Sequence, residues 1–146
     1  MDKNLFLIDL SESDRTDFGR VDFALQRPEQ RVFSAIWALE SQVNNGGFAQ
    51  YFVSHDGDTA SSAPDALRAI GADQCAAIVE KALKLATPGG VLPAAQTDRE
   101  MLLDALPPDV VEQLETIDAE FFSYPDNLTE LLFEYVSKRP FVFGRV

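Results

Sequence analysis

Two stretches of this 146-residue chain hold residue types that could do chemistry. His55-Asp56-Gly57-Asp58 sets the only histidine beside two carboxylates, and Ser54 adjoins it. A hydrolytic zinc site uses three protein ligands, which makes His55, Asp56 and Asp58 the trio to weigh. Neighbouring residues in a turn rarely reach one ion with good geometry. A calcium loop closes on a Glu at its twelfth position, and counting from Asp56 that position is Leu67. A turn in which Asp58 caps the next segment is the simpler reading. Adjacency of Ser54 and His55 does not make a triad, and Gly-x-Ser-x-Gly is missing. So are the Gly-x-x-x-x-Gly-Lys phosphate loop and the Gly-x-Gly-x-x-Gly fingerprint. Asn44-Asn45-Gly46-Gly47 could present backbone amides to an anion, but positive charge nearby is scarce. Its simpler role is a tight turn between packed helices. No catalytic residue, metal ligand or cofactor is assigned, and the chain is read as a non-enzyme.

The acids say more. Asp and Glu number 24 against 12 Lys and Arg, for a net charge of −12 and a pI near 4.3. Such a chain is a poor direct ligand for nucleic acid, whose binders cluster Lys and Arg. An anionic membrane surface is equally unsuited. Between Asp98 and Glu134 stand eleven acids and one base: Asp98, Glu100, Asp104, Asp109, Glu112, Glu115, Asp118, Glu120, Asp126, Glu130 and Glu134 against Arg99. The last twelve residues hold three bases and no acid. On a helix from Asp109, steps of ~100° put Val110, Leu114, Ile117 and Phe121 on one side. Asp109, Glu112, Glu115 and Glu120 fall opposite, with Asp118 on a flank. Acids three apart are separated by ~4.5 Å along the axis, comparable with the ~3.4 Å between charges of one DNA strand. Like charges on one face repel, and ordinary soluble surfaces mix signs. That points to a basic partner, although a solvated face is the plain alternative.

The elements that position these residues follow from periodicity. Hydrophobic residues make up 46% of the chain, with 11 Phe and one Trp, enough for a core and too many for a disordered tail. Leu5 to Ile8 reads as an extended segment or packing arm. A helix starts near Ser11 to Asp14 and carries Phe18, Val21 and Leu25. Pro28 opens another that runs to about Val43 with Val32, Phe33, Ile36, Trp37 and Leu39 on its apolar face. Asn44 to Gly47 stops it, and Phe48, Tyr51 and Phe52 begin a further helical face. Ser61 or Ser62 caps a helix ending at Gly71. Asp73 caps one carrying Cys75, a buried structural thiol. Thr97 with Glu100 forms a capping box for a short helix to Leu106. The next runs from near Asp109 to Phe121, and Asp126 caps the last, through Val136. Phe141 to Phe143 is an extended tail. The expectation is an all-α chain: a single acidic domain over 1–146, one compact bundle of about seven helices with short extended ends. No apolar run nears the ~20 residues of a membrane span. The start lacks a signal-type pattern, so a cytoplasmic location is expected.

Val43-Asn44-Asn45-Gly46-Gly47-Phe48-Ala49-Gln50-Tyr51-Phe52, then Gly57-Asp58, then Ala66 through Ile70-Gly71-Ala72 resembles a bacterial family. This is the nineteen-kilodalton DNA-mimic protein family with its domain-of-unknown-function relatives. The likeness covers about 32–85, and its structural signature is Asn44, Asn45, Gly46, Gly47, Phe48, Gly57, Asp58 and Gly71. The resemblance implies an all-helical fold. It also implies an acidic protein that occupies the DNA-binding face of a helix-turn-helix transcription factor and relieves repression by charge arrangement. No functional residue is carried over, since the acidic helices at about 98–136 lie largely outside the motif.

The expected function is an acidic protein-interaction module, with DNA mimicry as its leading form. Its partner surface is Asp98, Glu100, Asp104, Asp109, Glu112, Glu115, Asp118, Glu120, Glu130 and Glu134. The partner is a basic nucleic-acid-binding protein, for example a helix-turn-helix transcription factor, and a homodimer would extend the surface. One alternative is an immunity-type protein neutralising a basic toxin. Another is an enzyme or small-ligand binder, which requires Asn44, Asn45, His55, Asp56 and Asp58 to converge in a pocket.

Overall fold

The long apolar stretch after Pro28 builds the helix around which the others are arranged. In the computed structural model, which describes residues 1–145, it is helix α2, Pro28–Val53. Pro28 supplies a pre-set φ in the first turn, and Glu29 lies at the positive end of the helix. Phe33, Ile36, Leu39, Val43, Phe48, Tyr51 and Phe52 have no exposed surface. The expected stop at Asn44 to Gly47 is a kink instead. Gly46 and Gly47 leave helical geometry, Gly47 at φ +80, and the helix resumes at once. It resumes because the Phe48 backbone N–H, orphaned by the break, donates to Asp118 Oδ1 at 2.8 Å. A side chain on Gly47 would collide with that same carboxylate.

Around α2 pack α3 (Ala63–Ala69), α5 (Gln96–Asp104) and α6 (Pro108–Phe122), while α4 (Asp73–Ala86) bridges α3 and α6. Helix α7 (Leu128–Ser137) packs on α1 (Lys3–Ser11) and α8 (Pro140–Phe143). One apolar cluster runs from Leu7 to Phe143. The chain is all-α, with eight α-helices, two 3-10 helices and no strand among the described residues. Gly71, at φ +86, closes α3: the N–H of Ala72 returns to Leu67 O at 2.8 Å. Cys75 is buried as expected, and burial pushes its thiol up to about 11.

The chain ends differ from expectation. Leu5 to Ile8 lies within helix α1, not an extended arm, with Leu7 and Leu10 buried and Phe6 edge-on to Phe133 at 5.4 Å. The helix expected after Ser11 is instead a series of turns ending in a 3-10 turn at Phe23–Leu25. Two glutamines, Gln26 just before α2 and Gln30 in its first turn, take over its backbone groups. Gln30 Nε2 donates to Arg15 O and Gln30 Oε1 accepts from Asp17 N, both at 3.0 Å. Gln26 Nε2 donates to Val21 O at 3.0 Å. Phe141 to Phe143 is helical, and Phe143 is buried against Phe33.

Capping also differs. Thr97 and Glu100 form no capping box, because α5 already begins at Gln96. Asn127, not Asp126, caps α7 by accepting from Glu130 N. Asp126 Oδ2 instead accepts from Cys75 N at 2.8 Å and so caps α4 from another element, a task expected of Asp73. Asp58 caps nothing: the Gly57–Ser62 3-10 helix starts after Asp56 without a side-chain cap.

The side chain of Arg99 is almost wholly enclosed, 1% exposed. Its guanidinium donates to Phe52 O at 2.8 Å, Ser54 O at 3.0 Å, Pro93 O at 3.2 Å and Ala94 O at 2.6 Å. The first two carbonyls lie at the C-terminal, negative end of α2, where a cation is favoured. Gly57 lies directly against this joint. A Cβ there would stand 2.5 Å from Phe52 O and 2.7 Å from Arg99 Nε. Both neighbours are held, so Gly57→Ala should destabilise the fold by about 1–3 kcal/mol, the cost of overpacking. Gly89→Ala, in open space, should shift stability by under ~0.5 kcal/mol. Equal shifts of the two in urea titration would refute this account of Gly57.

Candidate acidic interface

The ten acids expected to meet a partner separate into three groups. Glu120, Glu130 and Glu134 are paired: Lys81 Nζ to Glu120 at 2.5 Å, Lys3 Nζ to Glu130 at 2.6 Å, and Lys138 Nζ to Glu134 at 2.6 Å. Asp118 is turned to the backbone of α2 through Phe48 N, half-buried. Its desolvation raises its carboxyl above the ordinary 3.8, the Phe48 hydrogen bond acting the other way. The remaining six, Asp98, Glu100, Asp104, Asp109, Glu112 and Glu115, are exposed. They have no ion-pair partner among the described residues.

Three lie on α5 and three on the first half of α6, and the Pro107-Pro108 step joins the two helices. Arg99, the one base in the acidic span, is counted in the sequence as a counter-charge but points inward. The exposed face of α5 thus carries carboxylates with no guanidinium among them. On α6, Leu114, Ile117 and Phe121 are buried and Glu112 and Glu115 face solvent. Of the pairings, only Glu134 with Lys138 was visible as an i,i+4 spacing. Lys3–Glu130 and Lys81–Glu120 span 127 and 39 residues, so spacing rules cannot reach them.

Most of the signature residues are packing or joint positions. Asn44 Nδ2 donates to the Tyr124 hydroxyl at 2.9 Å, and that hydroxyl lies 3.3 Å from Glu40 Oε2. Asn45 is exposed. A Cβ on Gly46 would crowd Gln50. The Phe48 ring meets Phe121 edge-on at 5.7 Å. Tyr124 has a left-handed φ of +48, the one such non-glycine among the described residues; its hydrogen bonds to α2 help hold it there.

Asn44 and the His55 segment do not share a pocket. Asn44 lines a hollow with Asn4, Trp37 and Glu40. His55, Asp56 and Asp58 line a separate cavity of about 270 Å3 with Phe18, Arg20 and Gln26. His55 Nε2 is 3.4 Å from Asp56 Oδ1, its side chain mostly in solvent. The Ser54 hydroxyl donates to Tyr51 O at 2.8 Å. Among the described residues, no three His, Cys, Asp or Glu side chains are grouped to hold a metal ion. No helix among them is long and apolar enough to cross a membrane.

Glu40 generates a pH prediction. Burial raises its carboxyl above the ordinary 4.5, the hydrogen bond from Tyr124 opposing. Below 4.5 the group is protonated in both folded and unfolded chains. As pH rises through the higher folded value, the unfolded chain ionises more readily and stability is lost. Glu40→Gln should therefore be more stable than the parent at neutral pH, with the advantage shrinking as pH falls toward 4.5. Urea titrations across that window check it, and a constant difference would contradict it.

No curated protein and no solved structure matches the chain. A protein-family model described as DMP19-like protein matches residues 24–139, a span that takes in both the Asn-Asn-Gly-Gly-Phe turn and the acidic helices. That match covers most of the chain, and the all-α fold agrees with it: the chain belongs to the DMP19-like family of the nineteen-kilodalton DNA mimic.

Proposed function

We propose that this protein acts by binding and not by catalysis: its α5–α6 face occupies the DNA-binding surface of a basic nucleic-acid-binding protein. The observation that carries this reading is the unpaired state of Asp98, Glu100, Asp104, Asp109, Glu112 and Glu115. Acids already neutralised by lysine have little attraction left for a partner. These six keep theirs, and the one arginine among them in sequence is withdrawn into the core. Lys and Arg side chains that normally meet phosphates find carboxylates at similar spacing, and charge-assisted hydrogen bonds follow. Membership of the DMP19-like family supports the same reading.

The test compares two double variants as bait in host lysate at low salt. Glu112→Lys/Glu115→Lys should lose a basic DNA-binding protein that the parent retains. Glu130→Gln/Glu134→Gln, which alters paired acids, should retain it. Duplex DNA should release the captured protein by competition. Salt should release it as well, since screening shortens from ~10 Å at 0.1 M to ~3 Å at 1 M. Retention of no basic protein, or equal behaviour of the two variants, would overturn the proposal.

A further inference from the structure

An apolar groove of about 440 Å3 opens between α4 and α6, next to the acid row. Leu85 and Ile117 form its apolar lining, Gln113 and Thr116 stand on the α6 side, and Lys81 and Lys84 on the α4 side. Lys81 is already paired with Glu120 across the groove. At ~100° per residue, Asp109, Glu112 and Thr116 fall within ~60° of one another around α6. The α6 rim is therefore negative, through two acids that have no ion-pair partner among the described residues. The α4 rim carries the ammonium of Lys84, likewise outside any ion pair there.

We propose that this groove receives an apolar side chain from a helix of the basic partner, the helix lying with its Lys and Arg edge over α6. The inference rests on the acidic-surface reading above and adds to it a contact that DNA mimicry by charge alone does not contain. Charge complementarity selects the occupant. Asp109 and Glu112 attract a basic edge, and Lys84 repels it from the other rim, which fixes which way the helix faces. An acidic helix, or a second copy of a chain with net charge −12, meets repulsion along the α6 rim. A wholly polar basic segment would leave the Leu85 and Ile117 surface wet. A Leu, Met or Phe flanked by Arg or Lys satisfies both demands, in the manner of helix-in-groove recognition.

Two synthetic helical peptides test this by fluorescence anisotropy. One has an Arg edge beside a Leu row; in its twin each Leu is Gln. The full-length protein should bind the Leu peptide roughly 10-fold more tightly than the twin, as expected for partial burial of one aliphatic side chain. Thr116→Glu places a carboxylate at the groove on an exposed position, where it is compatible with folding. It should erase the Leu preference even though it adds negative charge; attraction by charge alone predicts tighter binding of both peptides. Glu112→Gln should weaken both peptides alike. Equal affinity of the parent for the two peptides overturns the groove proposal and leaves the acidic surface standing. Binding of neither peptide, or no effect of Glu112→Gln, overturns both. A concentration-dependent dimer that Thr116→Glu dissociates would assign the groove to a second copy and overturn the proposal.

Discussion

The burial of the Arg99 guanidinium is the constraint from which the shape of the acidic face follows. An enclosed cation is costly unless its donors are matched. Here four carbonyls match them: Phe52 and Ser54 at the end of α2, and Pro93 and Ala94 in the loop before α5. No ion pair to a carboxylate supplements them among the described residues. The carbonyls at the end of α2 would otherwise need water or a cap, so one side chain settles both requirements. It also fixes α5 to α2, since Arg99 lies in the first turn of α5. Gln96 adds a second tie, donating to Val53 O at 2.9 Å. A helix with few buried residues of its own is thereby held at a defined angle, with Asp98 and Glu100 on either side of the buried arginine turned to solvent.

An excess of carboxylates destabilises a fold by self-repulsion unless some are absorbed. This chain absorbs them in two ways. Asp118 and Asp126 satisfy backbone N–H groups at helix starts in other elements, Phe48 in the resumed half of α2 and Cys75 in α4. The positive end of a helix favours such a charge. Glu120, Glu130 and Glu134 meet lysines, two of them from distant parts of the chain. Within residues 98–134, what is left after absorption lies on α5 and the first half of α6. The face proposed for partner binding is thus narrower than the acidic segment of the sequence. It is also more sharply charged, because the paired acids at α7 drop out of it.

Helices with strong apolar periodicity were legible in the sequence: the first part of α2, then α4, α6 and α7. Each places bulky residues on one side and turn residues at its ends, so local preference and burial agree. Helix α1 was not, because Leu5-Phe6-Leu7-Ile8 is a continuous apolar run whose period cannot be told. Its burial against α7 settles the matter only in three dimensions. Residues 12–22 show the opposite failure. Their apolar spacing suits a helix, but side-chain hydrogen bonds hold the backbone in turns: Gln30 on α2 reaches back 13 and 15 residues to Asp17 and Arg15, and Gln26, just before α2, bonds Val21 O. Asp126 and Asn127 are adjacent cap residues of equal preference, and only the approach of α4 decides which carboxyl serves which helix. For the candidate site, the location of the acids was legible. Their pairing was not, because tertiary lysines are distributed without a spacing rule.

The family signature and the acid row first read as separate regions, one in core and turn, the other on a distant surface. The structure joins them at three points. Gly47 is where α2 bends, and the room left by its missing side chain is filled by the carboxylate of Asp118 on α6. Gly57 permits the backbone to close on Arg99, which carries α5. Asn44 engages Tyr124 just after α6, holding that residue in its left-handed conformation. Each joint runs from the signature to an element next to or bearing an unpaired acid. The signature therefore need not carry charge to matter for a charge-based function. It sets the angles at which α5 and α6 leave the core, and those angles determine whether six carboxylates present one face or several. A substitution at a surface acid changes the charge of that face alone, whereas one at Gly47, Gly57 or Asn44 disturbs the frame that aims it.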